Sequence, residues 1–397
     1  MTARNRLRAL FFRGVELVPG NRIRLLQSGA EFFPALIAAI DAARAEVHLE
    51  TYIFSSDPTA ATVRDALMRA AQRGVRVRLL IDGVGSRELP AAWRAALETA
   101  GVGVRIYRPL VNGWRANPKN LRRLHRKLAV IDARIAFIGG MNLIDDYEPV
   151  RFAAPRLDYS VEVQGPLIVQ IHRSARHLWR LVALTQLQPE AERTPPLEPS
   201  WPTDGRMRAA FVVRDNLVHR RDIERSYLAA LALAHESILI ANAYFLPGNR
   251  FRKLLKKAAA RGVRVQLLMQ GHTDHRFYQA ASRALYNNLL MAGVAIYEYQ
   301  ASELHAKAAV VDGHWATVGS SNIDPFSLLL AREANIVVDD ADFARDLRQR
   351  LQQAIARSAP LDPADWRRRS LPQRMLSRLA YGIVRMLLGV TGLGRRV

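Results

Sequence analysis

The sequence predicts a layered α/β protein built twice over in one chain. Apolar runs of strand length alternate with amphipathic runs of helix length, the pattern of α/β layers. Segments of the first half of the 397 residues return in the second, which marks an internal repeat. A polar string recurs with its spacing intact: His125, Lys127, Asp132, Gly139 and Asn142 reappear as His305, Lys307, Asp312, Gly319 and Asn322, each 180 residues later.

Each half follows one order of elements. An amphipathic helix is expected over residues 35–45 and again over 223–234. It leads into an apolar strand, VHLETYIF from Val47 and ILIANAYF from Ile238. A second helix ends at Gly74 or Gly262, since glycine accepts the left-handed backbone that closes a helix. RGVRVRLLIDG from Arg73 and RGVRVQLLMQG from Arg261 then carry a β-branched strand. Another helix follows, then a strand in AGVGVRIY from Ala100 and AGVAIYEY from Ala292. Last comes a hairpin holding the polar string: strands 128–131 and 308–311, a turn opened by Asp132 or Asp312, and returns over 135–138 and 315–318. The second half reaches its histidine 12 residues sooner, because the first half carries an insert, 111–123, with Trp114 and several arginines. Five prolines between residues 188 and 205 mark a linker. The expected division is a basic N-terminal segment 1–20, domains 21–187 and 206–358 around that linker, and a basic amphipathic C-terminal segment 359–397.

A chain that is 49% hydrophobic can bury one large core or two ordinary ones. With no cysteine it has no disulfide framework and no thiolate chemistry. A formal charge of +22 predicts an anionic partner, either nucleic acid or an acidic lipid surface. The apolar run 386–394 is about half the length a bilayer requires. The N-terminal apolar stretch is too short for a signal peptide, so the protein is expected on the side of the membrane where it is made.

The chemistry lies in the repeated string. A histidine two residues before a lysine on an extended strand shares its face, so a nucleophilic imidazole and an ammonium meet the same phosphate. Only six of the 58 basic residues are lysines, yet both motif positions use one. A compact point charge suits a site that a broad guanidinium would not. The loops of Gly139 to Asn142 and Gly319 to Asn322 follow, in which glycine permits close backbone approach to phosphate and the Asn142 and Asn322 amides donate to its oxygens. Ser320 is expected to donate as well. Two half-sites imply one composite centre with a nucleophile on one side and an acid on the other.

These residues resemble the phospholipase D superfamily, whose signature is His-x-Lys-x4-Asp followed by Gly-Gly/Ser-x-Asn. LHRKLAVIDARIAFIGGMN around the first motif is most similar to bacterial cardiolipin synthases of the short B-type, and the likeness runs from about Asn21 to Arg357. It implies two tandem phospholipase D-like α/β sandwich domains related by a pseudo-two-fold axis. It also implies an acid about thirty positions after each histidine that holds that imidazole in its tautomer, here Asp158 and Glu333. Asp132 and Asp312 complete the motif; at a hairpin turn their expected work is support rather than substrate contact. The implied reaction needs no metal or cofactor. His125 attacks phosphorus, His305 protonates the leaving alkoxide, and Lys127, Lys307, Asn142 and Asn322 stabilise the charge. The donor is phosphatidylglycerol, the acceptor the glycerol headgroup of a second one, and the place the cytoplasmic face of the bacterial inner membrane, peripherally bound.

From Trp366 onward there are eight arginines and no acid. Arg374, Arg378 and Arg385 fall on one helical face with Tyr381, and Met375, Leu376, Leu379, Ile383, Met386 and Leu387 cover the others, a composition suited to an anionic bilayer. The alternative is a phosphodiesterase or nuclease acting on DNA or RNA, which the charge also suits. Against it, aromatics are only 8% of the chain and do not interleave with a basic stripe. The apolar C-terminal helix also has no purpose on DNA.

Overall fold

Each half lays down the same succession of elements. In the computed structural model the first half runs β1 (Val18–Gln27), α1 (Ser28–Asp41), β2 (Glu46–Thr51), α2 (Pro58–Gln72), β3 (Arg76–Asp82), α3 (Ala91–Thr99), β4 (Gly103–Tyr107), β5 (Lys127–Ile131), β6 (Ile135–Gly139), β7 (Tyr159–Gln164) and α4 (Ile168–Thr185). The second repeats it as β8 (Met207–Arg214), α5 (Asp222–Leu233), β9 (Ser237–Asn242), α6 (Asn249–Ala260), β10 (Arg264–Gln270), α7 (Arg276–Leu290), β11 (Ala295–Tyr299), β12 (Lys307–Val311), β13 (Trp315–Gly319), β14 (Glu333–Asp339) and α8 (Ala341–Ala356). A tail of β15 (Ser358–Pro360), α9 (Pro363–Arg367) and α10 (Leu371–Val390) follows. The structure describes residues 16–109, 122–147, 152, 154–187, 197–215, 218–272, 276–324, 327 and 331–390. The basic stretch up to residue 15, insert residues 111–121, linker residues 188–196 and the side chains of Arg374, Arg378 and Arg385 lie outside the described ones.

The first helix departs from its expected span. It starts at Ser28, ahead of Pro34, which sits inside it. The Gly29 N–H donates to Asp146 at 2.5 Å and the Ser28 N–H to the Asp158 carbonyl at 2.9 Å. These contacts satisfy donors that a helix start leaves open. Gly74 (φ +86°) and Gly262 (φ +84°) follow their helices in the left-handed conformation.

The strands form one sheet in the order β15-β11-β10-β9-β12-β13-β14-β8-β1-β7-β6-β5-β2-β3-β4. The halves meet edge to edge where β1 pairs antiparallel with β8, Val18 opposite Ala209 and Asn21 opposite Met207. The sheet bends around that seam, so β6 and β7 pack on β13 and β14 across a shared core. Leu128, Val130, Ile138 and Val161 there meet Ala308, Val310, Val318 and Ile336. The alternate residues of the same strands, Ala129, Ile131 and Phe137, enter a second core under α1 and α2, while Ala309, Val311 and Val337 enter a third under α5 and α6. A strand buried on both faces carries no polar alternation, which is why KLAVI and KAAVV are almost wholly apolar after their lysine.

Asp132 and Asp312 lie in the hairpin turns. Asp132 (φ +52°) and Ala133 (φ +48°), like Asp312 (φ +50°) and Gly313 (φ +68°), take the left-handed pair of angles of a tight turn. The Asp132 carboxylate accepts the Arg44, Ala45 and Glu46 N–H groups at 2.8, 2.8 and 2.9 Å. Asp312 accepts those of His235, Glu236 and Ser237 at 3.0, 2.8 and 3.0 Å. Each pins its turn to the strand beside it, about 16 Å along the strand from its lysine. Asp312→Ala strands three backbone donors, and a loss of about 3 kcal/mol in urea unfolding is expected.

Candidate active site

The histidines sit two residues ahead of β5 and β12, and main-chain bonds from the opposite half position both. The His125 N–H donates to the Arg332 carbonyl at 2.9 Å, and the Arg332 N–H to that of Arg123 at 2.8 Å. In the mirrored arrangement the His305 N–H donates to Leu157 at 2.8 Å, and the Leu157 N–H to Glu303 at 2.9 Å. Arg332 and Leu157 immediately precede Glu333 and Asp158. Each histidine is thus stitched to the segment that carries the other half's acid.

The side chains follow the backbone. His125 Nδ1 lies 2.9 and 3.1 Å from the two Glu333 oxygens, and His305 Nδ1 lies 2.5 Å from Asp158 Oδ2. This corrects the expected pairing, in which each acid held the histidine of its own half: the pairs are crossed. Both carboxylates are fully buried. With a carboxylate accepting from Nδ1, the neutral imidazole keeps its lone pair on Nε2. The imidazoles retain 19% and 15% side-chain exposure in surroundings that are otherwise closed.

The loops after the hairpins serve these acids. A Cβ on Gly140 would lie 2.2 Å from Asp158 Oδ1, so only glycine leaves room for that carboxylate. A Cβ on Gly139 would meet Ser160 at 2.1 Å, and one on Gly319 would meet Asn335 at 2.3 Å. The close approach expected between these glycines and a phosphate is instead an approach to the neighbouring strand. Ser320, expected to donate to phosphate, is fully buried. Its hydroxyl donates to Glu333 Oε2 at 2.5 Å and accepts the Ala334 N–H at 3.0 Å. The longer acid is braced by a hydroxyl, and the shorter one fits over a glycine and takes the Tyr159 N–H at 2.8 Å.

Lys127 and Lys307 are buried, and each ammonium donates to the carbonyl of its own histidine, Lys127 at 2.8 Å. Asn142 turns its Oδ1 to the Ile53 N–H at 3.1 Å, leaving its NH2 for the site. In the second half the bond between these segments runs the other way, with Asn242 of β9 accepting the Ile323 N–H at 3.1 Å, and buried Asn322 Oδ1 has no partner among the described residues. Asp132 and Asp312 stand apart at the far ends of the strands.

Burial governs the electrostatics. It lowers both imidazoles, His305 well below the ordinary histidine range, with Lys307 adding to the fall at His305. Burial and the facing Lys307 bring Lys127 down to about 7 against the pull of Glu333, and burial also lowers Lys307. Asp158 is pushed up to about 6 by burial, with Lys307 pulling the other way. At neutral pH both imidazoles are therefore uncharged and Asp158 is mostly ionised. An anion placed among these groups raises the proton affinity of both lysines and both imidazoles. The site gains protons as it gains an anion.

Three features lay beyond sequence reasoning. The Tyr52 ring lies 5.0 Å from that of His125 and 5.4 Å from Lys127 Nζ. Arg126, between the first histidine and lysine, forms a buried bidentate pair with Glu50 and donates to Ser174 Oγ at 2.9 Å. Glu46 and His48, on the same face of β2, form a buried ionic cluster with His172, Arg78 and Arg176 of its surroundings. The repeat held a signal for these: Tyr52, Glu50 and His48 align with Ala243, Ala241 and Leu239, so the two halves differ in polarity along one strand face. Glu46, His48 and His172 present ligand atoms within 4.8 Å of one another. Guanidinium groups 3.6 Å from Glu46 already occupy its charge.

Two His-x-Lys strands around one buried cluster, each imidazole backed by a carboxylate, define a phospholipase D-type centre. The family model described as "Cardiolipin synthase, PLD-like domain" matches residues 36–150 and again 227–355, and the chain belongs to that family. It is 43% identical over 349 residues to cardiolipin synthase B of Salmonella typhimurium, covering 84% of this chain and 80% of the relative. It is 42% identical over 349 residues to the Escherichia coli K12 protein of the same name, covering 85% and 81%. A probable cardiolipin synthase of Bacillus subtilis is 30% identical over 370 residues, covering 92% and 72%. The crystal structure of phosphatidylserine synthase from Haemophilus influenzae Rd KW20 shares the fold, with a TM-score of 0.71 at 13% identity over 99% of this chain and 100% of that one.

The crossed pairing has a direct spectroscopic readout. In Glu333→Gln the imidazole 15N signals of His125 move while those of His305 hold; movement at His305 instead would restore the uncrossed arrangement.

Proposed function

We propose that the protein is a cardiolipin synthase that transfers a phosphatidyl group from one phosphatidylglycerol to the glycerol headgroup of another. The observation that carries this reading is the pair of crossed imidazole–carboxylate contacts beside two buried lysines, within a chain of the cardiolipin synthase family. His125 Nε2 attacks phosphorus, forming an N–P bond as the P–O bond to the glycerol headgroup breaks. His305 gives its Nε2 proton to the departing oxygen and glycerol leaves. The second phosphatidylglycerol then gives its hydroxyl proton to His305, and its oxygen displaces His125 from phosphorus. Glu333 and Asp158 hold the two imidazoles in register for attack and proton transfer. Lys127, Lys307 and Asn142 stabilise the non-bridging oxygens as charge builds.

Peripheral attachment at the cytoplasmic face of the bacterial cell membrane completes the proposal. Among the described residues no helix is long and apolar enough to cross a membrane. One face of α10, with Ala380, Tyr381 and Val384, packs on Ala281 and Leu285 of α7. Tyr381 belongs to this docked face, and its hydroxyl lies 3.2 Å from Arg252. Met375, Leu376, Leu379 and Met386 project elsewhere and are exposed. Such an apolar face in a segment rich in arginine and lacking acids fits an anionic bilayer.

With phosphatidylglycerol vesicles, His305→Ala is expected to slow cardiolipin formation by about 10²- to 10⁴-fold, and His125→Ala to abolish it along with any radiolabelled phosphatidyl-enzyme. Full turnover in either variant would refute the two-histidine scheme. Leu376→Asp with Leu379→Asp is expected to release the folded protein from those vesicles in flotation assays by tenfold or more, at about 2–3 kcal/mol for each charge placed against the bilayer. Undiminished flotation would remove α10 as the contact.

A further inference from the structure

The backbone ahead of each histidine is held in the same way on both sides of the centre, but by different side chains. The Arg123 carbonyl and the His125 N–H both bond to Arg332, at 2.8 and 2.9 Å, which leaves the intervening Leu124 N–H to find another partner. Asp82, at the end of β3, accepts it at 2.8 Å. In the second half Glu303 and His305 both bond to Leu157. The Leu304 N–H between them goes to Gln270, at the end of β10, at 2.6 Å. Asp82 and Gln270 are counterparts in the repeat, so a neutral amide suffices for this anchor.

The first half nevertheless places a carboxylate there. Asp82 is fully buried, and a carboxylate is costly to bury unless it is paired. Its Oδ1 also accepts the Val84 and Gly85 N–H groups at 2.8 and 3.2 Å, and the Arg123 guanidinium stands at 3.4 Å, near the outer limit of a hydrogen bond. Lys127 lies in the field of the same carboxylate. The two act on one ring: the Lys127 ammonium is 5.4 Å from the centre of Tyr52, whose hydroxyl is raised by burial and further by Asp82. Burial lowers the proton affinity of Lys127, Glu333 restores part of it, Lys307 lowers it again, and Asp158 and Asp82 act with Glu333. Burial lowers Lys307 likewise, against Asp158, Glu333 and Glu303, with Arg156 adding to the fall. Each ammonium thus shares two carboxylates and has one of its own. The separate acids come from different places in the repeat, since Gln270 stands for Asp82 and Arg123 for Glu303. Glu303 keeps 30% side-chain exposure and binds Arg156 at 2.9 Å, whereas the Asp82 side chain is wholly enclosed.

We propose that Asp82 is a positioning residue of the active centre: it fixes the segment that carries His125, as Gln270 fixes that of His305, and it supplies Lys127 with a counter-charge of its own. The first task needs only an acceptor; the second needs the charge. The proposal rests on the phosphatidyl-transfer reading for what Lys127 stabilises, and adds the residue that keeps the ammonium ready. The counter-charge matters most before substrate binds, because a bound phosphate itself holds the proton. Loss of the charge therefore lowers the pH at which Lys127 gives up its proton. Loss of packing acts in the opposite sense, since water admitted to the site returns a buried lysine toward its ordinary, higher value.

These opposite signs allow a test that needs no substrate. The chain has only six lysines, so 13Cε-lysine labelling of the full-length protein gives few signals, and that of Lys127 is assigned by its loss in Lys127→Arg. In Asp82→Asn the Lys127 titration is expected to move to lower pH by about half a unit or more, while that of Lys307 holds or rises. Asp82→Gln is the second variant, because the second half folds with glutamine at this place, and the same movement is expected. A Lys127 titration that stays or rises, or a Lys307 titration that falls with it, would overturn the proposal. Failure of both variants to fold would make Asp82 architectural and overturn it as well. With phosphatidylglycerol vesicles, the alkaline arm of kcat/KM for cardiolipin formation is expected to follow Lys127, the loss in Asp82→Asn being about threefold greater at pH 8 than at pH 6. Absence of cardiolipin from the unsubstituted protein would instead overturn the transfer reading, and the lysine titration would still decide the role of Asp82.

Discussion

The active centre depends on an exchange: each half lends its carboxylate to the imidazole of the other. Glu333 holds His125 and Asp158 holds His305, and the main chain enforces the exchange through Arg332 and Leu157, which bind the backbone of the same histidines. A carboxylate buried without water is costly unless it is paired, and here each finds its partner only across the midline. The β1–β8 seam and the shared inner core put the two segments within reach. Fold and chemistry are therefore a single constraint. The hydroxyl of Ser320, the missing side chain of Gly140 and the turn aspartates all serve to keep the acids and strands where that exchange requires them.

Duplication supplied two equal half-sites, and divergence made them unequal. The first half fills the inner face of β2 with Glu46, His48 and Glu50, which are neutralised by buried basic partners reaching as far as Arg126 in the motif. The second half presents Ser237, Leu239 and Ala241 on the same face. Tyr52 against Ala243 and Asp82 against Gln270 extend that contrast to the mouths of the two histidine sites. Charged packing beside one histidine and neutral packing beside the other make the two half-sites chemically unequal.

Much of this was legible in the amino-acid order. KLAVI and KAAVV read as buried strands because nothing polar interrupts them, and Gly74 and Gly262 read as helix ends because their neighbours leave no other use for glycine. The motif lysines stood out against a chain that otherwise prefers arginine. The crossing was not legible: spacing along a chain places Asp158 near His125 and says nothing of which imidazole it faces in space. Ser320 misled for a related reason. A hydroxyl beside a phosphate motif suits an anion, and only its distance from Glu333 shows that it bonds to an acid instead. The glycines of the two loops misled likewise, since the close approach they permit is to Asp158, Ser160 and Asn335 and depends on tertiary packing. The start of α1 ahead of Pro34 was hidden because Asp146, which takes the Gly29 N–H, lies 117 residues away.

The lent carboxylates also bear on the protein's own synthesis. A nascent polypeptide that has emerged only as far as its first motif owns a reactive imidazole but not Glu333, the group that orients it. Until the ribosome has passed β14 the His125 imidazole has no carboxylate partner. Reciprocity between the halves thus makes assembly of the centre conditional on synthesis of both motifs.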